Sequence, residues 1–136
     1  MQTFLPYPDP EKSAKVLDRQ RLGKQRVEAI QIIRNLLGFQ QSKGWNNHPA
    51  VRMWKGYEPY LVKVYLRAML DEWSARGYNN EKSEGHYNFF MTLDVIKNSK
   101  PTKPNWITED LCTSHQSNLL RKNYEYYKPY FSNVKP

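Results

Sequence analysis

The apolar residues of this 136-residue chain recur mostly at helical spacing, and no run alternates for long enough to predict a sheet. The clearest case lies between residues 17 and 38, where apolar side chains repeat along one helix face: Leu22, Ala29, Ile30, Ile33, Leu36 and Leu37. On the opposite face Arg21 and Glu28 are seven residues apart and so point in nearly the same direction, with Lys24 and Gln25 between them. The pattern predicts an all-α protein in which this helix is the central element.

The residues before this helix are too rich in proline for regular structure, since Pro6, Pro8 and Pro10 stand at alternate positions. We predict an extended segment there, which Phe4 and Leu5 anchor to the core.

The bounds of the first helix follow from its terminal residues. Asp9 before Pro10 is typical of a helix start, because the carboxylate can cap and proline lacks the N–H that a first turn cannot use. Gly38 is typical of a helix end. We therefore predict one helix from Pro10 to about Leu37, bent near Gly23.

The same signals divide the rest of the chain, which we predict to form one compact helical domain over residues 1–136. The predicted elements are a polar loop at 39–47 that contains Trp45, a short helix at 50–54 opened by His48 and Pro49, a joint at 56–58, a long helix from Pro59 to about Ala75 ended by Gly77, a polar loop at 78–85, a helix at 86–97, a linker at 99–105 and a final helix from Thr108 to Lys122. An aromatic tail follows at 123–131.

Composition points to an anionic partner. The net charge is +8 and the isoelectric point is near 9.6, which favours nucleic acid, with an anionic membrane surface as the alternative. No apolar run is long enough to span a membrane and no export signal follows the first residue. The single cysteine, Cys112, cannot form an internal disulfide and fits a reducing compartment. We expect a cytoplasmic monomer in a bacterium or a phage-infected host cell.

Metal and cofactor chemistry receives little support from the sequence. The three histidines, His48, His86 and His115, are far apart, and no group of carboxylates has the spacing of metal ligands. Each histidine alone is more often structural than catalytic, although His48 stands out because it opens a helix near Trp45. There is no glycine-rich phosphate loop either, so we expect no cofactor.

An amine nucleophile offers a metal-free route to DNA chemistry, because it can form a Schiff base with a sugar carbon. The α-amine of Met1 is well suited, since a terminal amine has a pKa of about 7.7–8.0 and a lysine one near 10.4. Glu28 is the only carboxylate between residues 19 and 44, and it could move protons beside such an amine. The alternative is a basic helix surface that Glu28 merely balances.

Aromatic and basic residues are interleaved at the C-terminal end. Arg121 and Lys122 precede Tyr124, Tyr126 and Tyr127. These tyrosines could pack in the core, or they could stack on nucleic-acid bases beside the basic groups.

Four stretches together resemble the pyrimidine-dimer DNA glycosylase family of the phage endonuclease V type. The first is a short extended N-terminus that leads into a helix. The run Gln20-Arg21-Leu22, with Glu28 six residues later, is similar to the family's Gln-His-Leu and catalytic Glu. Asn47-His48, and the later run Ala75-Arg76-Gly77-Tyr78-Asn79, resemble the family's Gly-His segment and Arg-Gly-Phe-Asn helix end. The run Tyr124-Glu125-Tyr126-Tyr127-Lys128 is similar to its Trp-Tyr-Lys-Tyr-Tyr cluster.

The resemblance implies a metal-free DNA glycosylase with an abasic-site lyase activity, acting on double-stranded DNA that contains a damaged or modified pyrimidine. The amine of Met1 would attack C1′ of the target nucleotide, and Glu28 would stabilise the imine and take the C2′ proton. The resemblance implies further contacts to DNA. Arg21, Lys24 and Arg26 would bind phosphates, and Gln20, Gln25 and His48 would lie around the flipped base. The other implied contacts are Gln2, Trp45, Arg121, Lys122, Tyr124, Tyr126 and Tyr127.

The chain also departs from the family pattern. Gln2 is bulky, so we expect Met1 to be retained, whereas phage-type members expose a threonine amine. Gln2 stands at the family's second-position Arg, and Val27 stands at the Arg that precedes the catalytic Glu. Two alternatives therefore remain open: the same chemistry on a hypermodified phage pyrimidine, and a non-catalytic helical DNA-binding protein.

Overall fold

The computed structural model describes residues 2–39 and 47–136, and all regular structure in this part of the chain is helical. The all-α prediction is confirmed. In chain order the helices are α1 (Pro10–Val16), α2 (Arg19–Leu36), α3 (Pro49–Trp54), α4, α5 (Glu81–Met91), α6 (Asp94–Lys97), α7 (Glu109–Lys122) and α8 (Tyr124–Tyr127). Helix α4 is continuous and consists of Glu58–Tyr60, a π-helical stretch at Leu61–Leu66, and Arg67–Ala75.

The core forms where α2 packs against α4. One hydrophobic cluster extends in sequence from Phe4 to Phe131, so both end regions of the chain contribute to it. Its largest fully buried side chains include Trp54, Tyr65 and Tyr127. Burying each such side chain stabilises the fold by roughly 1.5–3 kcal/mol.

The segment before α1 is extended and anchored as predicted. Phe4 is 5% exposed and Leu5 is fully buried. We call residues 2–5 the N-terminal strand because their backbone is extended. They belong to no β-sheet within the described residues and bond instead to side chains of the helices. It lies against α2, α3, α4 and α7, and it covers the polar face of α2.

The prediction of one helix from Pro10 to Leu37 is wrong, because the chain breaks between α1 and α2. Leu17 and Asp18 have extended backbone conformations, and the Tyr127 hydroxyl accepts the Asp18 N–H at 2.9 Å. Gly23 lies inside α2. A Cβ there would come within 3.1 Å of the Trp73 ring, so glycine permits close packing of α2 on α4.

The predicted glycine helix ends are confirmed at both long helices. Gly38 and Gly77 have φ angles of 83° and 89°, which favour glycine. After α2, the Phe39 N–H donates to the Arg34 carbonyl and the Gly38 N–H to the Asn35 carbonyl, which is the Schellman arrangement.

The polar loop predicted at 78–85 is wrong in its second half, because α5 begins at Glu81. The Asn79 side chain accepts the Glu81 N–H, and the Asn80 side chain donates to the Leu70 carbonyl at 2.7 Å. Arg67 of α4 also forms an ion pair with Glu84. These contacts stabilise a helix start that is polar in sequence.

The predictions for the remaining helices are mostly confirmed. Helices α3 and α4 have nearly the predicted bounds, and α7 begins after Thr108, whose side chain accepts the Leu111 N–H. The predicted helix at 86–97 is replaced by the end of α5 and the short α6. Residues 40–46 of the loop predicted at 39–47, including Trp45, lie outside the described residues. None of the helices in the two described ranges is both long and apolar enough to cross a membrane.

Candidate active site

Glu28 lies on the face of α2 that the N-terminal strand covers. Its Oε2 accepts a hydrogen bond from the Gln2 N–H at 3.4 Å and another from Gln25 Nε2 at 3.2 Å. The first contact joins residues 26 positions apart, so the fold brings the start of the chain to this carboxylate.

Gln25 connects the N-terminal strand to Glu28 and is only 1% exposed. Its Oε1 accepts from the Phe4 N–H at 2.9 Å and from the Tyr65 hydroxyl at 2.5 Å. Its Nε2 donates to the Gln2 carbonyl at 2.9 Å and to Glu28. Because the Phe4 N–H can only donate and the Gln2 carbonyl can only accept, the orientation of the Gln25 amide is fixed.

Two further side chains hold the N-terminal strand in place. Trp54 Nε1 donates to Thr3 Oγ1 at 3.0 Å, and the Leu5 N–H donates to His115 Nδ1 at 2.9 Å. Four successive residues of the strand are therefore hydrogen-bonded to side chains of α2, α3 and α7. Such contacts fix the position of a chain end that would otherwise fray.

A cavity of about 220 Å³ opens beside Glu28. We call it the Glu28 cavity, and its lining residues are Gln2, Phe4, Gln20, Arg21, Lys24, Gln25, Glu28 and Lys122. Among the described residues of this lining, Glu28 is the only carboxylate, whereas Arg21, Lys24 and Lys122 are cationic. The cavity can therefore hold anionic groups around one carboxylate that is able to accept a proton.

The polar groups behind Glu28 are kept in defined protonation states. Burial raises the pKa of the Tyr65 hydroxyl well above its ordinary value, and the negative charge of Glu28 raises it further. Tyr65 therefore remains a neutral donor to Gln25. Burial lowers the pKa of His115 to about 4, so this imidazole is neutral near pH 7 and can accept the Leu5 N–H.

Comparison with protein families gives a match over residues 1–84, more than half of the chain, to pyrimidine dimer DNA glycosylase. The chain belongs to the pyrimidine dimer DNA glycosylase family. This membership supports a DNA repair glycosylase with DNA as its substrate. No significant match was found among curated proteins or among solved structures.

The region shared with the glycosylase family contains all but one of the residues that line the Glu28 cavity. Lys122, at the end of α7, is the exception and comes from outside the matched residues. The structure thus brings together six residues that the sequence predicted for the site, in addition to Glu28: Gln2, Gln20, Arg21, Lys24, Gln25 and Lys122.

Other predicted site residues of this glycosylase lie away from the cavity. Arg26 stacks on the Trp73 ring at 4.1 Å and donates to Asn80 and Ser83, so it joins α2 to α4 and α5. The phosphate contact by Arg26 stays a prediction. His48 caps α3 by accepting the Ala50 N–H, and it is not among the residues that line the Glu28 cavity.

The predicted tail residues separate into different environments. Tyr127 is fully buried and bonds Asp18, so it cannot stack on a base. Tyr126 is half-buried and lines a groove of about 670 Å³ that adjoins the Glu28 cavity at Gln20 and Lys24. Tyr124 is 53% exposed, and Arg121 bonds Ser117 and Asn118 within α7. Met1 and Trp45 lie outside the described residues.

Sequence reasoning missed several residues that shape the site. Tyr65 falls within the predicted helix that begins at Pro59, and His115 is one of three histidines that are far apart in sequence. Asp18 falls inside the predicted helix from Pro10 to about Leu37. Only the position of Asp18 carries a local signal, because an Asp before a helical run is typical of an N-cap. Across the described ranges, no group of three or more His, Cys, Asp or Glu side chains is arranged to hold a metal ion.

Proposed function

We propose that this protein is a DNA glycosylase with an associated abasic-site lyase activity, in which the Met1 α-amine is the nucleophile and Glu28 transfers protons. The observation that carries the proposal is the hydrogen bond from the Gln2 N–H to Glu28 Oε2. The nitrogen of that amide joins Met1 to Gln2, and only three covalent bonds separate it from the α-amine.

The proposed reaction begins on a damaged or modified pyrimidine that has left the base stack of double-stranded DNA, which such bases do at lower cost than intact pairs. The amine attacks C1′, the glycosidic bond breaks, and the base leaves with the bonding electrons and takes up a proton from water. Glu28 takes one proton from the attached nitrogen and gives it to O4′ as the C1′–O4′ bond breaks, so opening of the sugar ring leaves a protonated imine between C1′ and the amine nitrogen. The negative charge of Glu28 would stabilise this cation.

The lyase step uses the same carboxylate as a base. Glu28 takes the C2′ proton, the electrons of that bond move toward the imine, and the C3′–O bond breaks to release the phosphate by β-elimination. Water finally hydrolyses the imine and frees the amine. Arg21, Lys24 and Lys122 would bind the flanking phosphates; their position around the same cavity supports this role.

Gln25 has a supporting part in this proposal. It holds the Gln2 carbonyl and the Glu28 carboxylate through one amide nitrogen, so the residue after the nucleophile and the base share one support. Rigid placement of this kind is what allows a bound amine and a carboxylate to act together.

Borohydride trapping tests the proposal directly, because it reduces an imine to a stable amine. With an abasic duplex and a chelator present, we expect a covalent protein–DNA adduct whose peptide map places the DNA on the N-terminal peptide. Acetylation of the N-terminus should abolish trapping and leave salt-sensitive DNA binding intact.

Two outcomes would contradict the proposal. Trapping that persists after N-terminal acetylation would assign the nucleophile to a lysine, with Lys24 the first candidate because it lines the Glu28 cavity. Binding without trapping on abasic and damaged duplexes would favour the non-catalytic DNA-binding alternative.

A further inference from the structure

Asp18 stands at the N-cap of α2, but its carboxylate makes no capping hydrogen bond. An N-cap aspartate ordinarily accepts from an N–H of the first helical turn. Here Oδ1 accepts from the Tyr127 hydroxyl, and Oδ2 lies 3.2 Å from Arg21 Nη1. Asp18 is 8% exposed, so both contacts form in a largely dehydrated environment, where they are stronger than at the surface.

Tyr127 is held rigidly behind Asp18. Its hydroxyl also accepts the Asp18 N–H at 2.9 Å, so two hydrogen bonds join the two residues. Its ring stacks on Phe131 at 5.8 Å and meets the edge of Tyr126 at 4.8 Å. Burial raises the pKa of this hydroxyl, which keeps its proton available for Asp18.

Arg21 follows Tyr127 and Asp18 in this series of contacts, and it lines the Glu28 cavity. Its contact with Asp18 uses one terminal nitrogen, Nη1. Nothing in the described ranges accepts from its Nε or Nη2, so these donors are available to a bound phosphate. A guanidinium held on one side by a carboxylate presents its other donors in a fixed direction.

We propose that Tyr127 and Asp18 are positioning residues that orient the Arg21 guanidinium for a substrate phosphate at the Glu28 cavity. The inference rests on the proposed function and extends it, because Tyr127 lies beyond the residues that match the family. It also explains why the Asp18 carboxylate is turned away from the first turn of α2.

A double-mutant cycle tests the proposal through DNA affinity and through KM and kcat on an abasic duplex. Tyr127→Phe should weaken binding and raise KM about tenfold with little change in kcat, which lies within the range for coupled neighbours. In an Arg21→Gln background, Tyr127→Phe should have no further effect on affinity or KM. Asp18→Asn, which retains an acceptor for Tyr127 and loses the charge, should act in the same direction.

The matched control is Tyr130→Phe. Tyr130 is 49% exposed, and its hydroxyl makes no hydrogen bond with the described residues. It should leave affinity and KM unchanged. Melting temperatures of all variants separate lost stability from lost orientation, since a stability defect appears in both Arg21 backgrounds.

The outcomes distinguish the positioning proposal from the proposed glycosylase and lyase chemistry. If Tyr127→Phe and Asp18→Asn lower affinity equally with and without Arg21, or do not lower it at all, the positioning proposal is overturned and the proposed chemistry stands. Wild-type protein that binds an abasic duplex without cleaving it would refute the chemistry, while the affinity cycle would still decide the role of Tyr127. Absence of both binding and cleavage would overturn both.

Discussion

His115 makes the stability of the protein depend on pH, because it bonds the N-terminal strand only while it is neutral. The imidazole is 7% exposed, and its Nδ1 accepts the Leu5 N–H at 2.9 Å. Accepting at Nδ1 requires that atom to carry no proton, so the neutral ring holds its proton on Nε2. Protonation would place two donors face to face and would charge a buried ring.

The size of this effect on the free energy of unfolding follows from the difference between the pKa of His115 in the unfolded chain and its pKa in the folded protein. Burial lowers the pKa of His115 from 6.5 to about 4 in the folded protein. Between these values the unfolded chain binds a proton that the folded chain does not, so folding is penalised as the pH falls. The stability that depends on neutral His115 is fully present above about pH 6.5 and is lost by about pH 4. At 1.36 kcal/mol per pKa unit, the loss is about 3 kcal/mol.

His115→Asn isolates this effect, because the Asn side chain offers an oxygen acceptor to the Leu5 N–H and does not titrate. We expect the urea-derived free energy of unfolding of wild type to fall by about 3 kcal/mol more than that of the variant between pH 7 and pH 4. An NMR titration of wild type should show one histidine that remains neutral down to about pH 4. Equal pH dependence in the two proteins would refute the reasoning.

Three further predictions concern the Glu28 cavity. Glu28→Gln should retain DNA binding and lower the rate of cleavage of an abasic duplex by about 10²–10⁴-fold. The control Glu81→Gln, outside the cavity, should cleave like wild type. Cleavage by Glu28→Gln at nearly the wild-type rate would mean that Glu28 is not catalytic. If the three cavity cations each neutralise one phosphate, the logarithm of the DNA association constant should fall with the logarithm of the salt concentration at a slope of about −3. Lys122→Ala should reduce the size of that slope by about 1. Affinity that does not change with salt would indicate a different partner. Gln25→Glu places a second carboxylate beside Glu28 and removes the donor to the Gln2 carbonyl, so we expect about 1–3 kcal/mol less stability by urea unfolding and slower cleavage; unchanged values would show that the amide contacts are unimportant.

The parts of the fold that could be predicted from sequence depend on local interactions. Asp9 caps α1 through a contact two residues away, and Gly38 ends α2 through bonds within one turn. The break before α2 could not be predicted in this way. Its Asp18 N–H bonds to Tyr127, 109 residues later, and no pattern near Asp18 reveals that partner.

The same distinction between local and long-range interactions applies to the residues of the candidate site. Helical periodicity placed Arg21, Lys24 and Glu28 on one face, because a helix fixes those directions regardless of what covers them. The burial of Gln25 required the N-terminal strand to lie over that face, and the arrival of Lys122 required α7 to end there. These facts depend on packing between distant segments, which a single sequence does not display.

The hydrogen bond between Leu5 and His115 has a consequence for the order of events during synthesis. The two residues are 110 positions apart, so the N-terminal strand leaves the ribosome long before its partner exists. At about 5–20 residues per second, the delay is roughly 5 to 20 s. Helices α1 to α4 can associate in that interval, whereas Leu5 and Asp18 must wait for α7 and Tyr127. Contacts of such long sequence separation form late and slow folding, so the N-terminal end of the nascent chain is completed among the last parts of the molecule.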